Sequence, residues 1–86
     1  MSYPLNEESF SPEEELAMDL EMLREDLVGE LQAINQYQEH IESLENEEAI
    51  TTLEHIIEEE KEHFAELVKL IQNLDLVQAE KFKGAM

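Results

Sequence analysis

Residues Ile50–Leu74 read ITTLEHIIEEEKEHFAELVKLIQNL. Ile50, Leu53, Ile57, Phe64, Leu67, Ile71 and Leu74 recur at alternating steps of three and four, which predicts one long amphipathic helix. Glu60 falls on that apolar seam. His63 sits one turn further on, in the flanking row with Ile56 and Leu70. A carboxylate at a core position is costly unless it is paired or holds a metal. The break in the pattern is therefore a candidate site.

The same rhythm runs upstream through Leu16, Leu20, Leu23, Leu27, Ile34, Tyr37, Ile41 and Leu44, and there Glu30 occupies the seam. Ser11-Pro12-Glu13-Glu14 predicts the start of this helix, with Ser11 as cap, Pro12 at the first helical position and Glu14 closing a capping box. Residues 1–10 lack periodicity and read as a flexible leader before a single domain over 11–86. Asn46 marks a turn or cap between the two helices. The second helix is expected to end at Gln72 or Asn73, Asp75 to cap a short third helix through Phe82, and Gly84 to end regular structure. Gly29, beside Glu30, has two readings: a tolerated cost of about 1 kcal/mol, or a close backbone approach at the site.

A short connection between long helices predicts an antiparallel hairpin, the first helix extending about 50 Å. Two helices cannot enclose their own apolar faces, and Val28, Leu31, Ile56, Val68 and Leu70 widen the stripe. The expected fold class is all-α: a two-helix hairpin with a short C-terminal helix, completing a four-helix bundle by homodimerisation. Glu30 lies 16 residues before Asn46 and Glu60 14 after it, so the two reach similar heights.

The chain has 86 residues, 23 acidic and 5 basic, for a net charge of −18. That charge repels nucleic acid and anionic membranes, and favours cations or a basic partner. There is no cysteine, so thiolate metal sites and disulfides are excluded. No signal peptide or membrane-spanning run is legible, and a cytoplasmic protein is expected.

Glu60 and His63, three apart, project from one helical face, and Glu30 supplies a third ligand from the facing helix. Carboxylate and imidazole donors suit iron, with manganese or zinc as substitutes. Two copies bring four such carboxylates together, whose charge two divalent metals cancel. Without metal the carboxylates repel, and both pKa values are expected to rise. A dinuclear site across a dimer interface follows. His40 and His55 lie off the site, Glu59 and Glu62 face outward, and Glu59 is the substitute ligand if the register is shifted. Phe64, Met18 and Met22 read as core or edge residues.

Glu30-Leu31-Gln32-Ala33 with Tyr37, followed by Glu59-Glu60-Lys61-Glu62-His63, resembles the ferritin-like superfamily, and within it the encapsulated ferritins, half-ferritins of two long helices. The resemblance covers roughly residues 24 to 73 and implies a ferroxidase centre built between two subunits, in dimers that assemble into decameric rings. It implies Glu30, Glu60 and His63 as metal ligands, Tyr37 as a nearby catalytic residue, and oxidation of ferrous iron by dioxygen on two irons per dimer, serving iron storage. Acids found in some members at the positions of Gly29 and Gln32 are missing, so the resemblance does not extend to the metal-entry site those acids form. The ending Lys81-Phe82-Lys83-Gly84-Ala85-Met86 gives no support for residence in an encapsulin nanocompartment. Rubrerythrin-like and manganese catalase-like bundles use related ligands on peroxide, an alternative chemistry for the same site. A third reading has no metal: an acidic helical dimer binding a basic partner, its seam glutamates setting register.

Overall fold

The computed structural model describes residues 9–85. Helix α1 spans Pro12–Ser43, α2 Glu47–Leu74 and α3 Leu76–Ala85, with no strand among the described residues. The expected capping box closes α1. The Ser11 hydroxyl accepts from the Glu14 amide at 3.1 Å, and the Glu14 carboxylate accepts from the Ser11 amide at 2.9 Å. These bonds satisfy two donors that a helix start leaves orphaned. Leu44 closes the other end, its amide donating to the carbonyls of His40 and Ile41. After residues 44–46 the Asn46 side chain accepts from the Ala49 amide at 2.8 Å and starts α2.

Two cross-links give the direction of the hairpin. Arg24 reaches Asp75, and Glu30 approaches His63, so later residues of α1 meet earlier residues of α2. The helices are antiparallel. The third principal extent of the fold is 14 Å, little more than one helix diameter, so the hairpin is a single layer.

The seams match the expected phase. Leu20, Ile57 and Ile71 are buried, and Leu23, Leu27, Ile34, Tyr37, Ile41, Leu53, Phe64 and Leu67 are half-buried between them. One layer can do no more: Leu16, Met18, Met22, Val28, Leu31, Leu70 and Leu74 remain exposed. Met18 and Met22 thus stand on the surface as edge residues.

Two boundaries differ from expectation. Helix α2 continues past Asn73 to Leu74, because the Asp75 amide still donates to Ile71 at 2.8 Å and holds the last turn. Helix α3 runs through Gly84 to Ala85. Glycine costs only about 1 kcal/mol in a helix, and Lys83 in the last turn complements the dipole there. Asp75 joins the two helices as expected, its Oδ1 accepting from the Gln78 amide at 3.0 Å. Of the residues read as a leader, 1–8 lie outside the described part.

Candidate metal centre

Helical phase puts Glu30 and Glu60 on the facing seams, and the register of the hairpin sets them level. His63 Nδ1 lies 3.3 Å from Glu60 Oε1 and 3.7 Å from Glu30 Oε1. One donor atom from each of the three residues falls within 4.8 Å of the others, a spacing one cation can bridge. Among the described residues no other set of three acidic or imidazole side chains converges in this way. The glutamate side chains are 25% and 18% exposed, whereas His63 is 53% exposed. The carboxylates are rooted in the seam, and the imidazole closes one side at the surface.

The electrostatics are those of a site short of positive charge. The carboxyl of Glu30 is raised above its usual 4.5, first by donating its proton in a hydrogen bond to Glu60 and then by desolvation. Glu60 moves the other way, chiefly because Glu30 donates to it and secondarily because His63 does. Within one chain the two carboxyls thus shift in opposite directions, Glu30 up and Glu60 down, as expected of two interacting acids. His63 is raised above 6.5, chiefly by its hydrogen bond to Glu60 and then by the charges of Glu30, Glu60 and Glu66.

Above the three residues a cleft opens, lined by Glu25, Asp26, Gly29, Ala33, Glu66, Leu67 and Leu70 as well. Three of these acids went unread in the sequence. Asp26 precedes Glu30 by four and Glu66 follows His63 by three, so the spacing that linked Glu60 to His63 contained the signal. A Cβ on Gly29 would meet nothing within 4 Å among the described residues, so none of them closely approaches its backbone. Tyr37 is half-buried in the seam two turns along, does not line the cleft, and its hydroxyl makes no hydrogen bond among the described residues. Glu59 pairs with His55 at 3.3 Å on the outer face, away from the cluster. His40 is exposed in the last turn of α1, where an imidazole complements the helix dipole.

An all-helical hairpin carrying two carboxylates and an imidazole at one level has the architecture of a ferritin-like dimetal protein. Residues 18–79 match the family described as ubiquinone biosynthesis protein COQ7, and the chain belongs to that family, part of the ferritin-like diiron superfamily. It is also similar to the encapsulin nanocompartment cargo protein EncC of Myxococcus xanthus (strain DK1622), with 42% identity over 64 residues. The aligned part covers 74% of this chain and 49% of that protein, so the chain spans about half the length of this relative. No solved structure matches the chain.

Proposed function

We propose that two copies of this chain pair through the cleft face and form a diiron ferroxidase, oxidising Fe(II) to Fe(III) with dioxygen. The observation that carries the reading is the convergence of Glu30, Glu60 and His63 within 4.8 Å on an apolar face that one copy leaves uncovered. The donor set fits iron: hard carboxylate oxygens with one borderline imidazole, and no thiolate to favour soft metals. Bound as a pair, the irons supply one electron each to dioxygen.

The chain's own part is positional and protonic. A bound cation would favour the ionised form of Glu30, whose carboxyl is raised in its absence, so that both carboxylates offer lone pairs to it. His63 releases its proton as well, freeing Nδ1. The flanking seam residues, Leu27 and Ile34 on α1 and Ile57 and Phe64 on α2, hold the glutamate backbones at fixed height, and the exposed side of His63 leaves room for an oxidant. Tyr37 acts, on this reading, only through intervening side chains.

The family description favours a second reading, in which the same site oxygenates an organic ring. The lining argues for cations. Glu25, Asp26 and Glu66 attract ferrous ions and give an apolar ring little to bind. Similarity to a nanocompartment cargo protein supports association with an encapsulin shell, a partner that the chain's ending did not suggest.

Oxygen consumption and ferric absorbance, followed after mixing with anaerobic ferrous iron, test the proposal. Wild-type protein oxidises iron rapidly with dioxygen. Glu60→Ala and His63→Ala lose that rate with helicity unchanged. A variant oxidising iron at the wild-type rate rules the site out, and turnover with peroxide alone moves the assignment to peroxide chemistry.

A further inference from the structure

On the flank of the hairpin away from the cleft, all three helices border a cavity of about 200 Å³. Its walls are Leu27 of α1, Val68 and Ile71 of α2 and Phe82 of α3, and its polar residues are Arg24 and Gln78. Arg24 and Asp26, like Val68 and Glu66, stand two residues apart and so project to opposite sides of their helices. The cavity takes the first of each pair and the cleft the second. The two also differ in charge: Glu25, Asp26, Glu30, Glu60 and Glu66 line the cleft, and no acid lines the cavity. The space exists because α3 packs on α2 and makes no close backbone approach to α1.

The lining specifies an occupant. Three aliphatic side chains and one ring form the walls, and an apolar cavity of about 150 Å³ is enough for benzene. Both polar residues offer donors. The Arg24 side chain is 54% exposed, and among the described residues its one partner is Asp75, met by a single nitrogen at 3.2 Å. The remaining guanidinium donors keep the planar fork that suits a second carboxylate. The side-chain amide of Gln78 has no hydrogen-bond partner among the described residues. A fitting ligand is therefore small, flat and anionic at one end. The net charge of −18 opposes anions at a distance, but salt screens it beyond about 8 Å, and the local charge at the cavity is that of Arg24.

We propose that this cavity binds a small monocyclic aromatic carboxylate. The ring lies among Leu27, Val68, Ile71 and Phe82, and the carboxylate meets the guanidinium of Arg24 with the Gln78 amide as a second donor. The ligand shares Arg24 with Asp75 rather than displacing it, which keeps the affinity modest. Gln78 and Phe82, one turn apart, put the polar and apolar halves of the contact on one face of α3. A bound ligand thus fills the gap between α3 and α1.

The test uses metal-free full-length chain, so its result does not depend on the ferroxidase reading. NMR spectra are followed during titration with sodium benzoate, with sodium chloride as the control for ionic strength. Benzoate is expected to give saturable shifts at Leu27, Val68, Ile71 and Phe82, with a Kd of about 1 mM for so small a ligand. Benzyl alcohol, of similar shape without the charge, should bind about tenfold more weakly. Arg24→Gln should remove that difference between the two probes. Because Arg24 also holds Asp75, a second variant is needed: Val68→Phe puts a ring into the cavity and should abolish the benzoate shifts with helicity retained. Shifts that never saturate, benzyl alcohol binding as well as benzoate, or benzoate binding that survives Val68→Phe would each overturn the proposal. So would a cavity closed to benzoate because a second copy of the chain fills it.

Discussion

Glu30 and His63 both bind protons more tightly in the folded chain than as free groups, and this sets the pH response of the metal-free protein. Both groups are raised above their usual values, so the folded state binds more protons than the unfolded one. Their contribution to stability is therefore fullest below pH 4.5 for Glu30 and below 6.5 for His63, and it is lost as pH rises through the raised values. Glu60, lowered, contributes above 4.5 and loses that contribution in acid. The metal-free protein should accordingly melt at lower temperature as pH is raised from 5 through neutrality, while added Zn(II) stabilises more at each step. Melting curves with and without Zn(II) across that range check both slopes, and a metal effect that shrinks with rising pH contradicts the assignment. An imidazole NMR titration gives the residue view: the His63 midpoint lies above 6.5, and Glu60→Gln moves it down. Glu30, Glu60 and His63 were legible because each violates or flanks an apolar seam. The opposite shifts of the two carboxyls were not, since they depend on a contact between helices that spacing alone does not specify.

At the scale of elements the caps and the glycine carry the tests. Asn46 starts α2 immediately after the turn, and Asn46→Ala should cost about 1 kcal/mol of stability by removing the acceptor for the Ala49 amide. Gly29→Ala should raise stability by up to about 1 kcal/mol, since the added Cβ meets nothing in its own chain. A loss at Gly29 instead would show that a second copy approaches its backbone. The start of α1 and the turn at Asn46 were readable from local chemistry, because capping residues act on amides within three positions. The ends of α2 and α3 were less so. Asn73 and Gly84 are weak stop signals, and the Asp75 amide together with the Lys83 charge outweighed them.

At the scale of the molecule, a layer 14 Å thick with three buried core residues among those described leaves much of its apolar surface uncovered. The wide apolar stripe announced an uncovered face, and the acidic balance announced a preference for cations. The outward attitude of α3 was not legible, because its direction is set by Asp75 gripping Arg24, 51 positions earlier in the chain. Breaking that grip with Arg24→Ala should leave metal binding at the cleft intact and loosen α3, read as faster amide exchange over residues 76–85. Native mass spectrometry after anaerobic loading with ferrous iron tests the central claim most directly, because one spectrum reports assembly and metal count together. The account predicts two irons for every two chains, lost in His63→Ala. A metal-free dimer, or iron scattered without fixed stoichiometry, would contradict it and leave an acidic helical protein that binds a basic partner.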